Sequence, residues 1–321
     1  MSNINSDKRV FLIVAGLACN SACIMCSIRY QGRNDPTATT EQIIKDMIRG
    51  RNENYERIEF SGGEPTVRKD LLFLIRYAKK LGYRTIGINT NGILLSNKSF
   101  CDELVKEGVN SISFSLHAHN KSVYGSITRN PSAFAETVNG IKNALQYKDI
   151  SIQVTTVMLK TNYLYIDKIG KLLFSMGVHF WNITDLLPDG FAQQKYKSLC
   201  VRRTDVSRAI IKLKPLLDNS AVITFYAFSP CLIPSDILKK QGIGWVTAQQ
   251  KIDVEDTIRY LDNPSSNYTG KKYTQLRLKR IDICNKCKFT KECPGIWLDY
   301  LNLFGDKEIR TLAIKHGYIK H

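Results

Sequence analysis

Six times in its first 190 residues the chain alternates a short run rich in β-branched and aromatic residues with a longer run whose apolar residues recur at three- and four-residue spacing. Those two periods are the marks of strands and helices taking turns. The strand runs are Arg9–Val14, Glu56–Phe60, Arg84–Asn89, Ser111–Leu116, Ser151–Met158 and Val178–Asp185. Thr39 and Gln42 form a capping box that opens the first helix, whose face carries Ile43, Ile44, Met47 and Ile48. Leu71, Leu74, Ile75 and Ala78 mark the second helix. Ser99 and Asp102 open the third, which Gly108 closes, and Phe134, Val138, Ile141 and Leu145 mark the fourth. Strands linked this way lie parallel, with right-handed crossovers. Six units are too few for a closed eight-stranded barrel. The expected fold is therefore α/β, an open partial (β/α)6 barrel with its site beyond the carboxyl ends of the strands. After a helix at Thr204–Leu217 the pattern breaks, and a strand-like run, Ala221–Phe228, leads into an irregular, basic, cysteine-bearing remainder. The expected division is a barrel over residues 1–218 and a small irregular α+β domain over 219–321.

Composition narrows the class further. With 43% hydrophobic and 23% charged residues among 321, the chain is neither collagen-like nor low in complexity nor disordered. Forty-six Lys and Arg against 29 Asp and Glu leave a net charge of +17, which favours anionic partners without choosing among them. No apolar run approaches the roughly 20 residues of a membrane span. Lys8, Arg9 and the apolar stretch to Ala18 look like a lipoprotein signal ahead of Cys19. However, Gly16 stands where a large aliphatic residue is needed, and Cys23 and Cys26 follow at once. A buried strand ending in a ligand loop explains the segment better, so the expected location is the cytoplasm, where thiols stay reduced. Nine cysteines, seven of them in two groups, point to metal–thiolate sites rather than disulfides.

Cys19, Cys23 and Cys26 follow the first strand with spacing C-x3-C-x2-C. Three thiolates on one loop can hold three irons of a [4Fe–4S] cubane and leave the fourth iron open. A zinc site wants a fourth ligand, and none is near in sequence. After the second strand comes Ser61-Gly62-Gly63-Glu64-Pro65-Thr66. Its glycines let the backbone approach a ligand closely and its carboxylate suits an ammonium group, although Gly-Gly is also common in plain βα turns. Thr90-Asn91-Gly92 follows the third strand, and Ser113-Phe114-Ser115-Leu116-His117 ends the fourth.

This ordered series resembles the radical S-adenosylmethionine (SAM) superfamily over about residues 9–190. The resemblance implies that Gly62, Gly63, Glu64 and Pro65 hold the amino group of SAM, while its amino and carboxylate groups chelate the open iron. It places Asn91 near SAM and Ser115 at the SAM carboxylate or ribose. Met25 takes a place near adenine that is usually aromatic, and its polarizable sulfur can fill that gap. His117 replaces the usual acid and is a candidate to bond ribose, touch substrate or shuttle a proton, with a structural histidine as the plainer alternative; His119 is a weaker candidate. Leu187, in Leu187-Pro188-Asp189-Gly190, closes the adenine pocket in this reading, though Pro-Asp-Gly is also simply a good turn.

The second group, Cys284, Cys287 and Cys293, spaced C-x2-C-x5-C with Cys231 upstream, is similar to the auxiliary-cluster domains called SPASM and, in their shorter form, Twitch. The longer form carries another cysteine where this chain has Trp297. One auxiliary [4Fe–4S] cluster on Cys231, Cys284, Cys287 and Cys293 is the economical reading. Cys200 in place of Cys231, an open iron, and a zinc knuckle remain alternatives. Cys101 reads as a buried small hydrophobe. Eight basic residues, Lys271, Lys272, Arg277, Lys279, Arg280, Lys286, Lys288 and Lys291, surround the single acid Asp282. They suit an anionic substrate or an acidic electron donor, or form a solvated face. No nucleic-acid-binding module is recognisable, so nucleic acid is disfavoured.

The resemblance implies an oxidoreductase that takes one electron from a donor such as flavodoxin or ferredoxin, cleaves SAM reductively to a 5′-deoxyadenosyl radical and abstracts hydrogen from a substrate. The first expectation is maturation of a ribosomally made peptide by oxidation, cross-linking or epimerisation, with Cys200 as a hydrogen donor in the last case. The first strand begins near residue 9, which leaves no room for the leader-binding domain of many peptide-modifying relatives. The alternatives are modification of a small anionic metabolite, such as a nucleotide or sugar in natural-product biosynthesis, and a non-catalytic iron–sulfur sensor. The presence of both Glu64 and Ser115 disfavours the sensor.

Overall fold

The computed structural model describes residues 10–28, 38–217, 221–246 and 277–319; Lys271 and Lys272 of the basic run lie outside them. Eight strands form one sheet in chain order. They are β1 (Val10–Val14), β2 (Arg57–Ser61), β3 (Thr85–Thr90), β4 (Ser111–Ser115), β5 (Ser151–Val157), β6 (Phe180–Thr184), β7 (Val222–Tyr226) and β8 (Ile243–Val246). Every neighbouring pair is parallel. β1 and β8 are left as unjoined edges, so the barrel is open. The six expected strands are the first six. The sheet then runs past residue 218, because the run expected at Ala221–Phe228 supplies β7, in register with β6 from Phe180↔Val222 to Thr184↔Tyr226. Ile223 and Phe225 on β7 are buried to 1% and 0% exposure and continue the apolar layer begun by β1–β6.

That layer lies between the sheet and the helices that return from each strand. α1 (Thr40–Asn52), α2 (Leu71–Lys80), α3 (Lys98–Glu107), α4 (Lys121–Thr128), α5 (Ala133–Ala144) and α6 (Ile166–Ser175) supply it from the helix side. Phe60, Ile88, Ile112, Phe114 and Val154 supply it from the sheet, all buried. Removing each such side chain from water stabilises the fold by about 1.5–3 kcal/mol. The Thr39–Gln42 capping box is present in both directions, at 3.2 and 2.8 Å. α3 is capped by Asn97, whose Oδ1 accepts from Phe100 N, not by Ser99; Asn97 directly precedes the helix and has the extended backbone a cap needs.

On the other face of the central strands several alternate residues are polar and half-buried. Ser115, Thr155, Asn182 and Thr224 stand side by side across β4 to β7. A deeper row holds Asn89, Ser113 and Gln153. This is the inner wall of the open barrel.

Beyond β6 the chain forms α7 (Gly190–Gln194), α8 (Tyr196–Leu199) and α9 (Arg203–Ile211), and α10 (Ser235–Leu238) follows β7. The last segment pairs β9 (Leu278–Lys279) with β10 (Ile296–Trp297) antiparallel, then adds α11 (Leu298–Phe304) and α12 (Lys307–Lys315). Glu308 on α12 caps α9: its Oε2 accepts from Arg203 N at 2.7 Å and Thr204 N at 3.3 Å. No helix among the described residues is long and apolar enough to cross a membrane.

Candidate active site

The loop after β1 carries the first three cysteines and is stitched to the loop after β2. Gly63 N donates to Gly16 O and Glu64 N to Ala18 O, both at 2.8 Å. The two glycines serve this contact. A Cβ on Gly62 would fall within 3.0 Å of Gly16 O, and one on Gly63 within 3.0 Å of both Leu17 O and Ala18 O. Gly62 also has φ of 122°, which disfavours any side chain. Close approach is required here as expected, but the backbone being approached is that of the cysteine loop.

The loop then runs beside the end of α4, with Ala22 N bonded to Thr128 O at 3.0 Å and Ile24 N to Ile127 O at 2.9 Å. Cys19 is exposed, and Cys23 and Cys26 are half-buried. Burial, followed by the neighbouring thiols of Cys19 and Cys26, pushes the Cys23 thiol up to about 12. Cys19 and Cys26 are near enough to act on Cys23, and the Ser21 hydroxyl on the same loop is buried without a partner; an iron–sulfur cluster fits these three thiols. Met25 is buried beside them. Among the described residues no three His, Cys, Asp or Glu side chains converge as a single metal ion requires; a cubane takes one thiolate per iron and does not need such convergence.

Glu64 is 2% exposed and is the hub of the strand ends. Its Oε1 accepts from Thr66 N at 3.2 Å, Thr66 Oγ1 at 2.6 Å and Thr90 Oγ1 at 2.6 Å, and its Oε2 accepts from Asn91 N at 2.6 Å. Burial raises its pKa, against the pull of these donors. Oε1 is saturated, whereas Oε2 keeps capacity for one further donor. Pro65 opens the short turn Pro65–Val67 that Glu64 caps. The Asn91 side chain is engaged as well, donating to Asn20 Oδ1 at 2.7 Å and accepting from Ile93 N at 3.1 Å. Ser115 is half-buried at the end of β4, between the fully buried Phe114 and Leu116, so it faces the inner wall. Leu187 precedes a turn that closes on the cysteine loop: a Cβ on Gly190 would fall within 3.0 Å of Cys26 O, and Ala192 N reaches that carbonyl at 3.4 Å.

The two remaining candidates lie deeper in the fold. His117 is 4% exposed, its Nδ1 accepts from Val157 N at 3.2 Å, and burial lowers its pKa to about 4. Held this way the ring is neutral near neutral pH, as the structural alternative expects. Cys200 is fully buried among Tyr196, Arg203 and Asp185, and burial raises its pKa. It faces no open site and does not line the second cysteine pocket.

That pocket, partly open, is lined by Cys231, Cys284, Cys287 and Cys293 together with Arg280, Phe289 and other residues. Burial first, then Cys293, Cys287 and Cys284, push the Cys231 thiol well up. Four cysteines lining one cavity suit a cubane, which takes one thiolate per iron, better than a single metal ion, for which they do not converge. Arg277 in the basic run is held bidentate by Asp299 at 2.9 Å. The Arg280 side chain donates to Cys293 O at 2.8 and 3.0 Å. Both cations are thereby tied to the protein's own groups.

The sequence reading overlooked Thr66 and Thr90, which complete the Glu64 hub. It also overlooked Asn130, whose Nδ2 donates to Asn20 O at 3.3 Å, and exposed Arg129, which adopts φ of 61° beside the cysteine loop. Thr66, Thr90 and Asn91 at least are named within the quoted motifs, whereas Asn20 and Asn130 are not.

A strand-end cysteine loop locked to a Gly-Gly-Glu-Pro loop on an open parallel barrel defines a class of SAM-dependent iron–sulfur enzyme. Residues 13–173 match the Radical SAM superfamily, and the chain belongs to that superfamily, whose enzymes use a [4Fe–4S] cluster and SAM. It is 28% identical over 179 residues to a protein named probable GTP 3′,8-cyclase from Saccharolobus islandicus, covering 56% of this chain and 57% of that protein. Over 180 residues it is 29% identical to its namesake from Saccharolobus solfataricus, covering 56% and 58%. The matched region thus spans little more than half of these curated relatives. Among solved structures it resembles native anSMEcpe with bound AdoMet and Cp18Cys peptide, with a TM-score of 0.62, 17% identity and coverage of 95% and 97%. It also resembles Streptococcus suis SuiB bound to precursor peptide SuiA, with a TM-score of 0.58, 16% identity and coverage of 96% and 75%. At these identities the structural likeness concerns the fold.

Proposed function

We propose that this chain is a radical SAM enzyme of the Twitch type, with one SAM-binding cluster on Cys19, Cys23 and Cys26 and one auxiliary cluster on Cys231, Cys284, Cys287 and Cys293. The observation that carries the first part is the pair of 2.8 Å backbone bonds fastening the cysteine loop to Gly63 and Glu64. When bound, the cluster and SAM would supply one-electron cleavage of the sulfonium and a 5′-deoxyadenosyl radical that takes a hydrogen atom from substrate. The chain's own residues bind and orient. Glu64 Oε2 accepts from the SAM ammonium, and Ser115 donates from the inner wall to its carboxylate or ribose. Met25 and Leu187 flank the adenine and exclude water. Arg129, exposed beside the loop, offsets anionic charge.

For the substrate we favour a peptide. The inner wall presents hydroxyl and amide groups from Ser115, Thr155, Asn182 and Thr224 and no charge on that row, which suits backbone amides better than a polyphosphate. Arg57 and Glu59, a charged pair on this face, neutralise each other. Modification of a small nucleotide is the second reading, supported by the name of the Saccharolobus relatives. The test is anaerobic reconstitution followed by reduction with SAM present. Formation of 5′-deoxyadenosine, abolished in the Cys19/Cys23/Cys26→Ala variant, supports the reading; its persistence in that variant overturns it.

A further inference from the structure

The four cysteines of the second pocket come from two distant stretches of chain. Cys231 arrives from the end of β7, whereas Cys284, Cys287 and Cys293 belong to the last segment. Chain entropy opposes their meeting before any metal arrives. One turn, following α12, holds both stretches at once. The His316 ring, 7% exposed, donates from Nδ1 to Cys231 O at 2.9 Å. Its Nε2 is thereby left to accept from Ser207 Oγ on α9 at 3.2 Å. Tyr318, 4% exposed, donates from its hydroxyl to Ile233 O at 2.8 Å. The opposite edge of the same turn grips the other stretch. Lys288 N donates to Tyr318 O at 2.8 Å, Lys288 Nζ donates to Gly317 O at 2.8 Å, and Cys287 bridges Ile319 antiparallel. The Tyr318 ring also packs edge-on against Phe289, centroids 5.2 Å apart, and Phe289 lines the pocket.

We propose that the turn His316–Ile319 is a clasp that assembles the four-cysteine site, with His316 and Tyr318 as positioning residues for Cys231. The inference rests on the reading of the four cysteines as one ligand set. Neither residue lines the pocket. Each fixes a carbonyl within the Cys231 loop, so that its thiol faces the other three while the site is still empty. A site held ready in this way takes up metal without ordering the loop at the moment of binding.

The test starts with metal-free protein. Alkylation of each cysteine by iodoacetamide is followed by peptide mass spectrometry in wild type, Tyr318→Phe, His316→Ala and His316→Asn. Cys101, fully buried in α3, is the internal control. Losing one buried hydrogen bond to the loop is expected to speed alkylation of Cys231 about tenfold in Tyr318→Phe and His316→Ala. Cys101 should stay unchanged, and His316→Asn, whose amide can replace Nδ1–H, should return close to the wild-type rate. Unchanged Cys231 reactivity in both single variants overturns the clasp, as does a parallel rise at Cys101, which marks general loosening. Iron uptake is then measured in the Cys19/Cys23/Cys26→Ala background. About four irons per chain are expected with His316 present and fewer with His316→Ala. A background that takes up no iron overturns the ligand-set reading, and the alkylation rates still decide the clasp.

Discussion

Thr90, the last residue of β3, donates its hydroxyl to Glu64 Oε1 at 2.6 Å, so the carboxylate at the end of β2 also fastens the neighbouring strand end. The same carboxylate accepts Asn91 N on its other oxygen. Glu64 is thus a structural hub as well as a candidate ligand for SAM, and its variants carry both consequences.

Replacing Glu64 by Gln turns one carboxylate oxygen into a donor. If that donor takes the Oε2 position it faces Asn91 N–H, and if it takes the Oε1 position it faces Thr66 N–H and two hydroxyls. A stability loss of about 1–3 kcal/mol is expected, together with weaker SAM binding and unchanged iron content. Thr90→Val keeps the volume but removes the bonds to Glu64 and from Gly92 N. It should cost about 1 kcal/mol and weaken SAM binding less. Denaturant titration beside equilibrium SAM binding checks both; a Glu64→Gln protein of wild-type stability removes the hub role.

Gly63→Ala forces a methyl group into the carbonyls of Leu17 and Ala18, backbone atoms that cannot swing aside. The cysteine loop must shift, so the expected outcome is loss of the first cluster while the second persists. Iron should fall from about eight per chain to about four, with 5′-deoxyadenosine formation abolished. Iron analysis of the folded variant decides the point, and eight irons would contradict it.

The strand ends and the first cysteine group were legible because their chemistry is local. Cys19, Cys23 and Cys26 share one loop, and the loop after β2 follows its strand directly. The choice between Cys231 and Cys200 was not local. Both follow regular elements and neither is near the other cysteines in sequence; only tertiary packing, which puts Cys231 and not Cys200 in the lining of the second pocket, distinguishes them. β7 was visible as a strand, yet its place in the main sheet depends on Phe180↔Val222 pairing, which no periodicity reports. His117 sat at the expected strand end. Its role depended on Val157 N and on complete burial, and neither leaves a trace in the neighbouring residues. The Glu64 hub draws its donors from two loops, so Thr90 carried no mark of its function.

His117 makes stability depend on pH. Its pKa falls from an ordinary 6.5 to about 4 in the folded chain, so the unfolded chain binds the proton first. The stabilisation is complete above about pH 6.5 and is lost as pH falls towards 4, with a total on the order of 3 kcal/mol. Denaturant titrations of the metal-free protein between those limits should show this decline. In His117→Gln, which cannot titrate, the slope attributable to this residue should vanish even though overall stability is lower. An unchanged slope would place the titration elsewhere.

The pair that joins the barrel to α9 gives the sharpest thermodynamic test. Asp185, just beyond β6, and Arg203, at the start of α9, are 3% and 2% exposed and meet in two contacts of 2.8 Å. The guanidinium also lies over the Tyr300 ring at 4.4 Å, so the pair links the strand end to α11 as well. A buried pair is strongly destabilising when halved, because one charge is left unpaired. Asp185→Asn and Arg203→Met should each cost about 3–5 kcal/mol. The double variant, with no buried charge, should recover much of that loss, leaving a coupling energy measurable in a double-mutant cycle. Strictly additive losses in the double variant would mean that the two charges do not act on each other in the folded protein.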